Sequence, residues 1–370
     1  MVERRGALEV LVKSMWQGTA VLVTGHTGFK GARLTLWLAA LGAKVHGYAL
    51  DPERDDHLFG IAGVAACLQS DERGDIRDAE RLAACVARTA PRFVFHLAAQ
   101  ALVGRAHDDP VGTFAANTMG TVHLLDAVRR ARGVAAVVVA TTDKVYANGE
   151  RGERFVESDA LGGSEPYGAS KAACELAVEA YRESYFDGVN ATRVATARAG
   201  NVIGGGDFSP DRLVPDCLRA LEAGRAIALR SPGSIRPWQH VDDPLSGYLR
   251  LAEVLAGEGG AAHARAWNFG PGPRAEVSVA VLVGRLAHHF GAESVPAERA
   301  AAFGREAHTL RLDSTRALRH LCWAPEIDLD SALYRTVAWH RAWRTGADMV
   351  RLTADDITAG IAARGARRAA

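Results

Sequence analysis

The residues best suited to chemistry lie in two short motifs near the middle of the chain. The first, at 141–144, reads Thr-Thr-Asp-Lys, and the second, at 167–171, reads Tyr-Gly-Ala-Ser-Lys. In a helix, Tyr167 and Lys171 lie one turn apart on the same face, so an ammonium group can lie close to a phenol. A nearby positive charge lowers the pKa of a phenol, and the Thr142 hydroxyl could hydrogen-bond the same oxygen. The three groups together predict a base that removes a proton from an alcohol.

Lysine usage strengthens this interpretation. The chain has 44 Lys and Arg residues, but only five are Lys, and these include Lys30, Lys144 and Lys171. Arg cannot give up its proton, whereas Lys can. A Lys in so arginine-rich a chain therefore indicates a position where Arg would not serve. The alternative is that the Tyr-x-x-x-Lys pair consists of two exposed residues on a helix surface without a catalytic role.

A strand and a helix are needed to position these motifs. An apolar run at 134–139 predicts a buried parallel strand before Thr142, and a helical pattern begins at Tyr167. Strand and helix patterns alternate from residue 20 to about 200, which predicts an α/β fold with a doubly wound parallel sheet of the Rossmann type. His96 lies inside the apolar strand at 93–97 and is predicted to be a core residue.

A glycine-rich turn precedes the first helix. The strand at 20–24 runs into Gly25-His26-Thr27-Gly28-Phe29-Lys30-Gly31, and a helical pattern follows. Glycines at this spacing allow a tight turn and a close backbone approach, and a helix N-terminus attracts a pyrophosphate. The segment therefore predicts a dinucleotide-binding site.

The acidic residues after the next two strands bear on which dinucleotide binds. Asp51 lies near the place where a carboxylate would bind the ribose of NAD. Arg54 and Lys30, in contrast, could bind the 2′-phosphate of NADP through their positive charges. NAD is favoured. Asp75 could accept a hydrogen bond from an adenine amino group, or it could cap the helix that follows.

Length and composition set the domain organisation and exclude several functions. The 370 residues, 48% hydrophobic and 24% charged, suit a globular protein of one or two domains. We expect an NAD-binding domain at 15–200 with a return segment at about 240–267, a smaller interleaved α/β substrate domain at 201–239 and 268–348, and loose termini at 1–14 and 358–370. A net charge of +1 creates no positive electrostatic field that would attract nucleic acid. No run of apolar residues is long enough to cross a membrane. The five Cys lack metal-ligand spacing, so we expect no metal site and a reducing, cytoplasmic environment.

The chain resembles the extended short-chain dehydrogenase/reductase family, and within it the sugar-nucleotide 4,6-dehydratases. The resemblance covers residues 15–357 and rests on specific motifs. They are Gly-His-Thr-Gly-Phe-Lys-Gly (25–31), Thr-Thr-Asp-Lys-Val-Tyr (141–146), Tyr-Gly-Ala-Ser-Lys (167–171), Arg-Ala-Gly-Asn-Val-Ile-Gly-Gly-Gly-Asp (198–207) and Ile-Arg-Pro-Trp-Gln-His-Val (235–241). The Gly-Phe-Lys-Gly and Gly-Gly-Gly-Asp variants are similar to those of the CDP-sugar branch.

This resemblance implies an NAD-dependent conversion of CDP-D-glucose to CDP-4-keto-6-deoxy-D-glucose by a homodimer or homotetramer. C4 is oxidised, water is eliminated across C5 and C6, and the hydride returns to C6. Thr142, Tyr167 and Lys171 are then the dehydrogenase triad, and Asp143 is the acid that protonates the leaving C6 hydroxyl. Lys144 stands where the dTDP-sugar enzymes have a Glu base for the C5 proton. Lys144 can be that base only if its amine is neutral, and otherwise it stabilises the enolate as a charge.

The resemblance also assigns two larger sets of residues. NAD is expected to contact Gly25, Thr27, Gly28, Phe29, Lys30, Gly31, Asp51, Asp75, Ile76, Leu97, Ala98, Ala99, Tyr167 and Lys171. The nucleotide sugar is expected to contact Gln100, Asn201, Arg212, Leu213 and Arg236. Two departures from the family pattern could alter sugar recognition. They are Ala106-His107, where relatives usually have Ser-Tyr, and Phe208, where a Trp is common.

Other functions remain open on this scaffold. A nucleotide-sugar 4-epimerase would share Tyr167, Lys171 and the NAD site, but it has no need of Asp143 and Lys144. A 4,6-dehydratase could also act on a different NDP-hexose. A non-catalytic sensor of NAD or of sugar nucleotides is disfavoured, because binding alone does not require a tuned phenol.

Overall fold

The computed structural model describes residues 15–54, 56–188, 191–292, 297–299 and 307–369. The strands are β1 (Ala20–Thr24), β2 (Lys44–Ala49), β3 (Leu68–Arg73), β4 (Phe93–His96), β5 (Ala136–Ala140), β6 (Arg193–Ala199), β7 (Asn201–Ile203), β8 (Ile227–Leu229), β9 (Ile235–His240), β10 (Ala266–Phe269), β11 (Glu276–Ser278) and β12 (Ala297–Arg299). Seven of them form a parallel sheet in the order β10-β6-β5-β4-β1-β2-β3.

The helices connect these strands and cover the sheet. They are α1 (Phe29–Ala40), α2 (Leu58–Ile61), α3 (Ala79–Thr89), α4 (Val103–Asp108), α5 (Pro110–Phe114), α6 (Gly120–Arg130), α7 (Pro166–Tyr185), α8 (Leu213–Glu222), α9 (Asp242–Leu255), α10 (Val279–His289), α11 (Thr315–Leu321), α12 (Leu329–Arg344) and α13 (Met349–Ala369). Within the described part of the chain, none of the helices combines the length and the apolar composition that crossing a bilayer requires.

The central sheet is buried on both faces, as its runs of Val, Ala and Phe predict. Successive side chains point to opposite faces of a strand. Val21 and Val23 accordingly join the core beneath α1, α9 and α13, whereas Leu22 joins the core beneath α3, α6 and α7. Helices on both faces of a parallel sheet confirm the predicted doubly wound fold.

His96 confirms its prediction as a core residue. It is 1% exposed at the end of β4, where its Nδ1 lies 2.7 Å from Thr24 Oγ1 and its Nε2 lies 3.1 Å from Thr121 Oγ1. Burial lowers the pKa of His96 to about 3, so its ring is neutral. The side chain ties β1, β4 and α6 together and does not line the cleft described below.

A smaller unit lies beside the central sheet. It has a three-stranded sheet in the order β11-β9-β7, a strand pair β12-β8, and a core from α8, α10 and α12. The predicted division into domains stays a prediction. This core draws on residues inside the predicted segments 201–239 and 268–348, but Ala317, Leu321 and Trp323 of the second segment pack beneath the central sheet instead.

The end of the chain differs from its prediction. Helix α13 continues to Ala369, so the expectation of a loose terminus at 358–370 is wrong as far as that residue. Arg364 is 8% exposed, and its Nη2 donates to Asp243 Oδ1 at 2.8 Å. This ion pair fixes α13 against the start of α9. The predicted loose segment 1–14 lies outside the described residues.

Candidate active site

The carboxyl end of β5 carries the first reactive motif. Thr142 continues the strand in extended backbone (φ −150°, ψ 160°) and precedes a single 3-10 turn at Asp143–Val145. Its Oγ1 accepts from the backbone N–H of Lys144 at 3.4 Å and donates to Asp143 Oδ1 at 3.1 Å. Because the turn starts at the strand end, the side chains of residues 142–144 line a cleft at the carboxyl edge of the sheet.

Helix α7 carries the second motif, and its start is fixed by a side-chain cap. The carboxylate of Glu165 accepts from the backbone N–H groups of Tyr167 and Gly168, both at 2.7 Å. A Cβ on Gly168 would lie 2.7 Å from the carbonyl oxygen of Lys144, so a residue without a side chain is needed there. The close approach brings Tyr167 and Lys171 into the same cleft as Thr142, as predicted.

The charge state of Tyr167 differs from the prediction. Burial raises the pKa of Tyr167 to about 12, although the hydrogen bond with Thr142 and the positive charge of Arg212 act in the opposite direction. The predicted fall of the Tyr167 pKa towards neutrality is therefore wrong for this structure, in which Lys171 is not among the main groups that act on that pKa. Lys171 Nζ instead donates to the carbonyl of Ala140 at 3.1 Å. Burial also lowers the pKa of Lys171 itself.

Asp143 is a buried carboxyl group with one unused oxygen. The residue is 2% exposed, and within the described part of the chain its Oδ2 has no hydrogen-bond partner. Burial raises the pKa of Asp143, against the opposing charges of Lys144, Arg236 and Lys30. A carboxyl group in such a place is suited to donate a proton.

The glycine-rich turn joins β1 to α1 at one end of the cleft. Gly25 has a φ of +76°, and Gly28 precedes the helix, whose N-terminus has no side-chain cap. A Cβ on Gly31 would lie 2.0 Å from the carbonyl oxygen of Gly25, so only glycine lets the helix pack this close to the turn. The uncapped N-terminus next to a tight turn is typical of a pyrophosphate site.

The cleft has a volume of about 760 Å³ and contains every residue of the two predicted sets. The twelve predicted cofactor residues outside the triad line it, from the glycine turn to Asp51, Asp75 and the segment at 97–99. The carboxylate of Asp75 binds Arg77, and the following helix is capped by Asp78, so the helix-cap alternative for Asp75 is wrong. Its contact with an adenine stays a prediction.

Two ion pairs bear on the choice between NAD and NADP. The guanidinium of Arg54 forms two hydrogen bonds with Asp56, at 2.6 and 2.7 Å, so its charge is already compensated. Asp51 is exposed beside β2 and contacts Arg73 at 3.5 Å. These pairings leave a carboxylate at the ribose position and favour NAD.

Lys30 has unusual surroundings for a lysine. It lies half-buried in the first turn of α1, where its Nζ donates to Tyr248 Oη at 3.4 Å. Burial lowers its pKa to about 7, with help from the charges of Arg212 and Lys171. No pattern in the chain indicated Tyr248, which belongs to the distant helix α9 and reaches Lys30 only through the fold.

The five predicted substrate residues line the cleft but differ in how far their polar groups are engaged. Gln100 uses its amide group internally, donating to Leu102 O at 3.0 Å and to Thr113 Oγ1 at 2.9 Å. Arg236 donates to the carbonyl of Ala307 at 2.6 Å, and Arg212 lies 3.5 Å from Asp207 Oδ2. Roles of these side chains in binding stay predictions.

Other lining residues bear on recognition. Arg230 and Ser231 line the cleft and were not predicted, because they follow a three-residue strand without a distinctive motif. Of the departing segment at 105–107, Arg105 lines the cleft, whereas Ala106 is buried. Phe208 also lines it and packs edge-on against Trp343 at 4.6 Å between ring centroids.

Comparisons with known proteins agree with this geometry. Residues 21–268 match the model of the NAD dependent epimerase/dehydratase family. A CDP-glucose 4,6-dehydratase from Salmonella typhimurium is 44% identical over 91% of this chain and 95% of its own length. A dTDP-glucose 4,6-dehydratase from Streptomyces griseus is 35% identical over 88% of this chain and 96% of its own. The structure of a dTDP-glucose 4,6-dehydratase double mutant from Streptomyces venezuelae, with NAD and DAU bound, has a TM-score of 0.77 at 29% identity, covering 89% of this chain and 99% of that one.

Proposed function

The chain belongs to the NAD dependent epimerase/dehydratase family, and from this premise we propose that it is a CDP-glucose 4,6-dehydratase. It converts CDP-D-glucose to CDP-4-keto-6-deoxy-D-glucose and uses NAD as a cofactor that is regenerated in each cycle. The similarity to the Salmonella typhimurium enzyme extends over nearly the whole chain and supports both the reaction and the nucleotide.

The observation that carries the dehydratase proposal is the carboxyl group of Asp143. An epimerase exchanges hydrogen only at C4 and needs no acid for a leaving hydroxyl. Asp143 nevertheless follows Thr142 directly, with a buried Oδ2 and a raised pKa that favours the protonated form. In our proposal Asp143 gives its proton to the C6 hydroxyl as that group leaves.

The cofactor and the triad carry the oxidation steps. NAD fits the uncapped N-terminus of α1 and the cleft beyond it, and when bound it accepts a hydride from C4 and returns it to C6. Tyr167 takes the proton from O4 during oxidation. The Thr142 hydroxyl, which turns from Asp143 to donate to the phenol oxygen, lowers the pKa of Tyr167. Lys171, one helical turn after Tyr167 on α7, provides a positive charge near Tyr167 and Thr142.

Lys144 has two possible roles after C4 has been oxidised. The C4 ketone makes the C5 hydrogen acidic, and a base must remove it. Lys144 lies half-buried at the cleft wall, beside Asp143. It acts as that base when its amine is neutral, and it stabilises the enolate as a cation when it is charged.

Substrate binding uses the other half of the cleft. We propose that Asn201, Arg212 and Arg236 bind the diphosphate, since two guanidinium groups there can form charge-assisted hydrogen bonds with it. Leu213 and Gln100 then contact the nucleotide and the sugar from the cleft wall.

Deuterium incorporation tests the proposed reaction. Purified protein is incubated in deuterium oxide with CDP-glucose, dTDP-glucose, UDP-glucose and GDP-mannose in separate reactions. We expect CDP-glucose to be turned over best and its product to carry deuterium at C5, because the C5–H bond is broken and remade from solvent. A product that keeps its C5 hydrogen would indicate a 4-epimerase. Faster turnover of another nucleotide sugar would show that CDP-glucose is not the preferred substrate.

We also propose that the protein is a homodimer in the cytoplasm. The surface formed by α5, α7 and the segment before α6 carries exposed apolar side chains, namely Val111, Phe114, Met119 and Leu176. Two copies of this face could bury them together. All five cysteines are free thiols, which suits a reducing compartment.

Light scattering tests the dimer. Leu176 is 58% exposed in the middle of α7, so Leu176→Arg would place a charge inside the proposed interface. We expect this variant to have the mass of one chain and the wild-type protein the mass of two. Equal masses for both proteins would argue against this face.

A further inference from the structure

A buried carboxylate lies one turn behind Lys171, outside the cleft. Glu175 on α7 is 4% exposed, and both of its oxygens are engaged. Oε1 accepts from Thr141 Oγ1 at 2.5 Å and from Arg198 Nε at 2.9 Å, and Oε2 accepts from Thr196 Oγ1 at 2.6 Å and from Arg198 Nη2 at 2.9 Å. A fully paired carboxylate in this place has a function other than solubility.

Arg198, the partner of Glu175, connects it through further hydrogen bonds to Tyr146, Glu157 and Asn268. Arg198 Nη1 donates to Tyr146 Oη at 3.0 Å and to the carbonyl of Glu157 at 3.2 Å. Tyr146 Oη in turn donates to Asn268 Oδ1 at 2.6 Å. Tyr146 directly follows the 3-10 turn that carries Asp143 and Lys144, and Asn268 belongs to β10. The network therefore spans α7, β5, β6 and β10 beneath the reactive groups.

The geometry makes Glu175 the link between the two reactive motifs. Thr141, which it binds, is the immediate neighbour of Thr142, and Lys171 lies one helical turn before Glu175 on the same face. A hydrogen bond of 2.5 Å at this place fixes how far α7 can slide or turn against the end of β5. Small displacements of a catalytic group have large effects on rate.

Glu175 also acts on the charge of Lys171. Burial lowers the pKa of Lys171, and within α7 both Glu175 and Cys174 act to raise it. From the other elements, Lys30 of α1 repels the Lys171 ammonium, and His96 of β4 feels its charge but is neutral. The carboxylate thus opposes the two effects that would remove the proton from Lys171.

We propose that Glu175 is a positioning residue for the triad, which fixes α7 against β5 and holds Lys171 in its cationic form. The proposal rests on the proposed function, because it requires Tyr167 and Lys171 to act in the oxidation step. The sign of the effect is fixed. Without the carboxylate the pKa of Lys171 falls further, so the ammonium is lost at a lower pH and activity declines earlier as the pH rises.

Glu175→Gln tests the proposal, with Glu179→Gln as the matched control on the exposed face of the same helix. The rate of cofactor reduction at C4 is followed as a function of pH in single turnovers. We expect the alkaline limb of the Glu175→Gln profile to move to lower pH and the rate at neutral pH to fall roughly ten- to hundredfold. KM is expected to stay unchanged, and Glu179→Gln should match the wild type. An unmoved limb in folded Glu175→Gln overturns the proposal, because a merely structural role would lower the rate equally at every pH.

A second variant covers failure of Glu175→Gln to fold. Thr141→Val removes the hydrogen bond from β5 but leaves the Glu175–Arg198 pair intact. We expect it to fold and to lose about tenfold in rate at unchanged KM. A wild-type rate would overturn the positioning role. Because oxidation at C4 is common to dehydratases and epimerases, these rates remain measurable if the product analysis rejects the dehydratase, so the two failures are distinguishable.

Discussion

The pKa values of two acidic groups of the cleft, Tyr167 and Asp143, are raised by the same physical cause. Burial removes water from both and raises both pKa values, that of Tyr167 to about 12. For Asp143 the raised pKa favours the protonated form, which an acid catalyst needs. Tyr167 must lose its proton to act as a base, so the positive groups around it have to offset the desolvation. Arg212 acts in this direction in the present structure. The proposed role of Lys171 requires its ammonium group to add to this effect during the reaction, which makes the charge of Lys171 a point of control.

Tyr167→Phe removes the phenol oxygen and leaves the rest of the side chain in place. We expect the turnover rate to fall by about 10²–10⁴-fold, since proton transfer by a positioned side chain contributes this much. Binding of the nucleotide sugar should be unchanged, because the ring and its packing remain. Turnover and equilibrium binding are measured on the same preparation. Wild-type turnover would remove Tyr167 from the mechanism.

Asp143→Asn separates elimination from oxidation. An amide of the same size cannot protonate a departing hydroxyl, so we expect product formation to fall by about 10²–10⁴-fold. Oxidation at C4 should survive, and the absorbance of the reduced cofactor should build up on the enzyme. Stopped-flow absorbance and product analysis check the two steps separately. Normal product formation by this variant would contradict the dehydratase assignment.

At the scale of elements, the turn between β1 and α1 contains glycines with different physical tasks. Gly31 packs α1 against the turn, since a Cβ there would lie 2.0 Å from the carbonyl oxygen of Gly25. Gly28 has room for a Cβ, at 3.4 Å from the same oxygen, and it lies exposed at the helix start. Gly31 is thus required by the packing of the fold. Gly28 is required only to leave room for a ligand that binds at the N-terminus of α1.

Two alanine variants distinguish these tasks. Gly31→Ala should lower the melting temperature of the protein without added cofactor, because backbone atoms on both sides have to move apart. Gly28→Ala should melt close to the wild type but bind NAD more weakly, since a methyl group would stand in the pyrophosphate site. Calorimetry without NAD and titration with NAD provide the two measurements. Equal melting temperatures for both variants would mean that the close packing at Gly31 is not required.

At the scale of the whole molecule, the last helix is part of the folded protein. Ion pairs connect α13 to the rest of the chain. One is the buried pair of Arg364 and Asp243, and in the other the partly exposed Arg335 joins the buried Asp242 to Asp356. Arg33 of α1 also donates to Asp242, at 2.8 and 2.9 Å. The helix that begins at the cofactor turn is therefore held from behind by α9, α12 and α13.

Arg364→Ala tests the contribution of this helix to stability. The change leaves the Asp243 carboxylate, whose side chain is 0% exposed, without its charged partner. We expect a loss of about 3 kcal/mol, the usual cost of breaking a buried pair on one side. Arg367→Ala is the control, because Arg367 is 62% exposed. Urea unfolding of both variants gives the comparison, and a wild-type midpoint for Arg364→Ala would show that α13 is not anchored by this pair.

The doubly wound sheet, the cofactor turn and the grouping of all predicted site residues in one cleft could be predicted from the amino-acid sequence. These features depend on local periodicity, on glycine spacing and on the rule that the carboxyl ends of parallel strands meet at one edge. Residues 142–144 and 167–171 are therefore readable in the chain, because a strand end and a helix start deliver them.

The pKa values of the reactive groups and the contacts that hold these groups in place could not be predicted from the sequence. The raised pKa of Tyr167, the engaged amide of Gln100 and the partners of Glu175 depend on desolvation and on contacts between residues far apart in the chain. The anchoring of α13 is of the same kind, since the Ala- and Arg-rich segment at 358–369 gains its place from Asp243, more than 100 residues earlier. Burial and pairing are properties of the assembled surroundings, and no local pattern contains them.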